Sequence, residues 1–389
     1  MSHFAVAVIG SDVDALMAPY HEFECTGTID QYVVNVDQMP ETLEKWKNET
    51  TTRRFNMATG ESFNPYDDQF YREPTEQEIA DHPNMMGSGF SDGIHYSSKD
   101  WGDGRGYRAK VHFMPEGYED RDTPNSDVFS FLDFCVEYHS YPIIAEGEQP
   151  DLSETHKWGW IRVNDKNEVI ELIRRTNPQK QWDWWVIGGR WSNMLILKDG
   201  SKADSALVKD IDLDAMYASG RDEALKLWDD MQAARQDYAR RAMTSNLSRI
   251  LDLDDENEGS TVPFPEIEKW VSWQDAMAQF DKNIEKAREF YHAQNALIAM
   301  KETEFGKRAF FFEWDRLMTP REDYGHQAGV NSICTYALIK DGQWYSRGKM
   351  GWWGMSSDDM TLAEWGEKQW ETYRSLPGDE RITIVDCHI

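Results

Sequence analysis

The sequence predicts an α+β fold: a mainly antiparallel sheet with a long helical-hairpin insertion. Three observations carry this. Segments of β character stand at both ends and in the middle of the chain, at 3–9, 158–173 and 381–388. Two long stretches rich in helix formers, 222–251 and 273–300, separate the middle from the end. Strand and helix patterns do not alternate in the way βαβ units require. The organisation expected is a β-rich part with long loops at 1–200, an acidic helical insertion at 201–310, and a hairpin, helix and final strand at 311–389 that complete the core.

Element by element, His3 to Ile9 (HFAVAVI) is apolar and β-branched, as a buried strand should be. Ser11 or Asp12 can cap a short helix over Val13 to Met17. A second strand is expected from Gln31 to Val36. Residues 50–125 are rich in Gly, Asn, Asp, Pro and Ser with poor periodicity. They read as long loops, notably Phe63-Asn64-Pro65-Tyr66 and Gly87 to Gly106. Phe129 to Tyr138 is a short helix. Trp158–Val163 and Val169–Ile173 form a strand pair around Asn164-Asp165-Lys166-Asn167. In the helical part, Leu225, Trp228, Met231 and Tyr238 approximate one stripe, and Ala276, Phe280, Ile284, Ala287, Tyr291 and Ala296 another. An acidic break, Asp252 to Gly259, lies between them. Ser332–Ile339 and Gln343–Ser346 flank the turn Asp341-Gly342 as a hairpin. Thr361 and Glu364 make a capping box for a helix that ends at Pro377-Gly378. Arg381 to His388 is the last strand.

The net charge is −29. A field of that sign repels phosphate backbones and anionic lipid surfaces, so direct nucleic-acid binding is not expected. It also fits a surface that imitates nucleic acid or attracts a basic partner, as well as plain solubility. The four cysteines, Cys25, Cys135, Cys334 and Cys387, include no CxxC pair, against a structural zinc site or a disulfide framework. The first residues lack the basic region of a signal peptide, and no apolar run approaches the ~20 residues needed to cross a bilayer. The expected compartment is the cytosol.

Three places have the residue types for chemistry. Two segments, WDWWVIGGRW (182–191) and RGKMGWWGM (347–355), combine adjacent Trp, close Gly and cationic side chains. Indole faces stack on flat rings, Gly permits close backbone approach, and Arg or Lys attracts an anion. Trp184, Arg190, Trp191, Arg347, Lys349, Trp352 and Trp353 are therefore candidates for binding an anionic ring-bearing ligand such as a nucleotide. Core packing around tight turns is the plain alternative. Strand alternation would put Trp182, Trp184 and Val186 on one face and Asp183 and Trp185 on the other.

The second place joins the termini. If the first and last strands pair antiparallel, His3 lies beside His388, and Asp386 shares that face while Cys387 points away. His3, Asp386 and His388 could then hold a divalent metal or do acid–base work, with His21 and Cys25 nearby. The third is the run Asp92-Gly93-Ile94-His95 with Asp100, Asp103 and Arg105, whose oxygens suit a hard cation but lack EF-hand spacing. Phosphate-loop, nucleophile-elbow and HExxH patterns are missing.

The start MSHFAVAVIG, the middle WDWWVIGGRW, the segment RGKMGWWGM and the ending TIVDCHI together resemble an uncharacterised protein family encoded by bacteriophages and some bacteria. The resemblance covers the β-containing ends and middle and leaves out roughly 200–310. It implies expression in an infected bacterial cytosol, where accessory proteins often counter host defence, and transfers no catalytic residue. Three functions follow as expectations: an accessory protein that binds or processes a nucleotide-like ligand through the Trp/Gly/Arg segments, an acidic nucleic-acid mimic that inhibits a host defence protein, or a metal-dependent hydrolase built on His3, Asp386 and His388.

Overall fold

The computed structural model describes residues 3–82, 89–91, 94–252, 267–350 and 356–389. Its class is the one expected, α+β with mainly antiparallel sheets. The chain divides into two compact units. One joins the N-terminal residues up to Thr26 with Gln179–Ile389, and the other is Gly27–Pro178. These boundaries cut the chain elsewhere than at 200 and 310.

The first unit is built on a central sheet. Its strands are β1 (His3–Ile9), β2 (Trp184–Ile187), β3 (Ser205–Leu207), β4 (Ala337–Lys340), β5 (Gln343–Ser346) and β6 (Arg381–His388), in the order β2-β6-β1-β4-β5, with β3 also pairing β6. β1 and β6 are antiparallel, with His3 opposite His388, Ala5 opposite Asp386 and Ala7 opposite Ile384. β1 and β4 are parallel. Both faces are covered, which is why β1 and β6 read as nearly continuous apolar runs. On one face Ala7, Ile9, Ile382 and Ile384 pack on Trp365, Trp370 and Tyr373 of the helix Leu362–Ser375. That helix starts with the predicted capping box on Thr361 and Glu364. On the other face Phe4, Val6, Val8, Val385 and Cys387 pack on Met17, Tyr20 and Trp182. Asp12 caps the short helix Val13–Met17.

The helical part differs from the hairpin expected. A helix of 40 residues, Leu213–Asp252, is followed not by one long helix but by three short ones, Trp273–Gln279, Ile284–Ala293 and Asn295–Lys301. The break is local chemistry. Asp281 and Lys282 are left-handed (φ 51° and 64°), and Asn283 caps the next helix through Lys286 N–H. Gln294 is extended and ends that helix. The three pieces still bury Ala276, Ala287, Tyr291, Ala296 and Leu297 together with Met231 and Trp314.

In the second unit the expected loops at 50–125 are largely paired strands. Thr50–Asn56 pairs with Tyr118–Pro124 over seven residues, and Ile94–Asp100 pairs with Tyr107–His112. These strands are polar, so no apolar alternation marks them. An ion pair stands where an apolar pair would: Arg54, buried, reaches both oxygens of Asp120 at 2.8 and 2.9 Å. Gly102, Gly104 and Gly106 take positive φ in the turn between Asp100 and Tyr107. A four-stranded sheet holds Gly159–Val163 and Val169–Thr176 as the expected antiparallel pair, beside Ile143–Ala145 and Val34–Asp37. Among the described residues no helix is long and apolar enough to cross a membrane.

Candidate functional site at the end of the central sheet

The face of β6 that begins apolar ends polar. Ile382 and Ile384 belong to the core, while the next two residues on that face are Asp386 and His388. The pairing with β1 sets His3 against His388, and the pairing with β2 sets Trp184 against His388. Two imidazoles, two carboxylates and one indole therefore meet where three strands end.

Each imidazole is tied by Nδ1. His3 donates to Asp386 Oδ1 at 2.9 Å, and His388 lies 2.7 Å from both oxygens of Asp183. A carboxylate only accepts when ionised, so each Nδ1 carries the hydrogen, and Nε2 is left for other work. Neither Nε2 has a partner among the described residues. The ring centres of His3 and His388 are 5.1 Å apart at 75°. Trp184 lies stacked on His388 at 5.3 Å and 13°, and edge-on to His3 at 5.3 Å. Asp386 and His388 are buried, whereas Trp184 is 43% exposed.

The Gly-Gly pair explains how the carboxylate is held. Gly188 and Gly189 both have positive φ, and a Cβ on Gly189 would fall 2.5 Å from Asp386 atoms. Only a glycine lets this turn lie against Asp386 and point the Arg190 N–H at Oδ2, 3.0 Å away. Arg190 itself is exposed.

Of the residues proposed from sequence, Trp184 and Arg190 join His3, Asp386 and His388 here. Trp191 does not: it packs against the hydrophobic core. Arg347 and Lys349 follow β5, at the other edge of the sheet. Four strand spacings separate β2 from β5, roughly 19 Å. Trp352 and Trp353 lie outside the described residues. The two Trp-rich segments therefore do not contribute Trp184, Arg190, Arg347 and Lys349 to one cavity.

Strand alternation misplaces two residues. The strand begins only at Trp184, and Trp182 instead bridges to His21. Trp182 thus shares the core with Trp185, and Asp183 turns to His388 rather than away from it. Asp183 is the residue at this candidate site that the sequence alone does not point to. Its signal was present, an acidic residue beside a Trp that pairs with a histidine, but the pairing is visible only once the β2–β6 register is known.

His3, Asp386 and His388 are neighbours, with Asp386 at Nδ1 of His3 and Asp183 at Nδ1 of His388. Among the described residues no three His, Cys, Asp or Glu side chains are grouped to hold a metal ion. His21 is occupied by Thr26 Oγ1 at 2.9 Å. In the loop proposed for a hard cation, Asp103 is bound by Arg105 and Arg108, and its carboxyl is held down at about 2 by the Arg105 N–H first and then by Arg108. Asp92 and Gly93 lie outside the described residues.

The thiols are not activated either. Burial pushes Cys135 up to about 11 and Cys334 up to about 12. Cys25 is raised to about 11 by desolvation and then by Glu22, and Cys387 is also raised by burial. The carboxylates of the long helix do not form an uninterrupted acidic face: Asp229 pairs with Arg321, and Asp237 with Arg240 and Arg241.

No family model matches the chain, and neither a curated protein nor a solved structure does.

Proposed function

We propose that this chain binds, and acts on, a small anionic ligand with a flat ring, of nucleotide type, at the end of the central sheet. The observation that supports this is the grouping of His3 and His388, each held by a carboxylate at Nδ1, beneath the half-exposed ring of Trp184. Trp184 offers a face for stacking, which is worth about 1–3 kcal/mol for a base on an aromatic side chain. Arg190, exposed and with its backbone N–H on Asp386, offers a positive charge close in the chain. The net charge of −29 favours a ligand of few phosphates over a polymer, because each further phosphate outside the site adds repulsion. The resemblance to phage and bacterial proteins makes an infected cell's cytosol the setting of this reading, and a role against host defence is one use for it there.

Native mass spectrometry of protein purified from bacteria, before and after denaturation, tests the reading. The expected result is a released small anion that is lost from Trp184→Ala and Arg190→Ala. A bare chain that also fails to bind adenosine 5′-monophosphate by calorimetry would overturn it.

A further inference from the structure

Resting on the site just proposed, the geometry points to phosphodiester transfer in which the substrate supplies its own nucleophile, a hydroxyl next to the scissile phosphate, as in a short ribonucleotide. The argument begins with what the protein side offers. All four thiols are raised rather than lowered. The hydrogen-bonded groups at the site are imidazoles, carboxylates and the Arg190 N–H, and among the described residues no hydroxyl is paired to either imidazole. A pair of imidazoles with no side-chain nucleophile is suited to one task above others: one takes a proton from an attacking group while the other gives a proton to a leaving group.

The rings are placed for a shared centre. Their centroids are 5.1 Å apart, a separation within the span of one phosphoryl group and its two ester oxygens. Asp386 and Asp183 fix each ring by Nδ1, the arrangement that sets tautomer and direction in acid–base histidines. Trp184 has one face on His388 and enough exposure to receive a base. A base stacked there brings its sugar and phosphate to the imidazoles.

The step balances as follows. One imidazole Nε2 takes the proton of the 2′-hydroxyl. O2′ forms a bond to phosphorus as the bond from phosphorus to the 5′-oxygen breaks. The other imidazole, protonated at Nε2, delivers its proton to the departing 5′-oxygen. The products are a 2′,3′-cyclic phosphate and a free 5′-hydroxyl. Nothing is oxidised or reduced, and the two imidazoles have exchanged protonation states, which solvent restores.

The test uses the full chain with two probes, the ribodinucleotide ApA and its 2′-deoxy counterpart. Binding is read by calorimetry and cleavage by chromatography. Binding of both, with cleavage of ApA alone and a bell-shaped pH–rate profile, is the expected result. His3→Gln and His388→Gln should each lower the rate 10²–10⁴-fold while ApA still binds. Asp183→Asn should lower the rate with little change in binding, as expected for a positioning residue, and should distort the pH profile, which a merely structural role would not. Binding of both probes without cleavage would overturn this inference and leave the ligand site standing. Failure of both probes to bind would overturn the ligand site as well. Cleavage of the deoxy probe would show that the substrate hydroxyl is not the nucleophile.

Discussion

Each unit of this protein holds a pair of histidines, and the two pairs are alike until their partners are compared. In the first unit the rings of His3 and His388 stand 5.1 Å apart at 75°. In the second unit those of His95 and His112 stand 5.1 Å apart at 70°. Each pair has an exposed aromatic ring against it, Trp184 in one case and Tyr66 in the other. The difference lies in the hydrogen bonds. His3 and His388 are each held by a carboxylate. His112 gives its Nε2 hydrogen to the Pro65 carbonyl at 2.7 Å and stands beside the Arg54 guanidinium, while burial, then His112, lowers the pKa of His95. The comparison teaches that two pairs with the same ring geometry can differ in what holds them: a carboxylate at Nδ1 of each ring in the first, a backbone carbonyl at Nε2 of His112 in the second. The proposed acid–base role rests on the first arrangement, in which Nε2 is left over.

This contrast can be broken in four ways, from the largest effect to the smallest. Removing either imidazole of the first pair should abolish 10²–10⁴-fold of any turnover at the site, about 3–5 kcal/mol of barrier. His95→Ala should leave turnover unchanged. A loss of turnover from His95→Ala equal to that from His388→Ala would end the distinction. In stability, Arg54→Leu should cost the second unit about 1–3 kcal/mol, because it removes the hydrogen bonds to Asp120 and to the Phe113 carbonyl and the guanidinium from over Phe70. Denaturant titration should show that loss, and calorimetry should show ligand binding at Trp184 unchanged.

Gly189→Ala comes next. The substitution forces a Cβ into Asp386 at a left-handed position, at a cost of about 1–3 kcal/mol, and should weaken ligand binding as Asp386 is displaced. If Gly189→Ala binds as the parent does, the turn does not hold the site. The smallest effect is one of pH. Arg54 holds the Asp120 carboxyl below the ordinary carboxylate range, so that pair stabilises the second unit above that range and its contribution is lost as pH falls through the lowered value. Thermal melts from neutral to acid pH should show the decline, and Arg54→Leu should flatten it.

How much of this was legible in the sequence follows from where hydrophobic pattern and turn chemistry carry the fold. The pairing of β1 with β6 was readable because both segments are apolar runs at the termini, and it put His3, Asp386 and His388 together. The Asp341-Gly342 turn was readable because both residues take positive φ there, as a two-residue hairpin needs. The strands at 50–56 and 118–124 were not readable, since TTTRRFN and YEDRDTP are polar and charged, with Arg54 paired to Asp120 across the ladder in place of apolar alternation. The break at 281–283 was hidden because Asp281 and Lys282 look like ordinary helix-surface residues. Asp183 was hidden because strand alternation was applied one residue before the strand begins. Of the seven predicted ligand residues, Trp184 and Arg190 lie at the site, and Trp191 was drawn in only by its place in the same motif.

The most direct measurement is an NMR titration of the histidine ring signals with ApA, assigned by single substitutions. The account predicts that the His3 and His388 signals move on binding while those of His95 and His112 stay in place. Movement of His95 and His112 with His3 and His388 unchanged would contradict it.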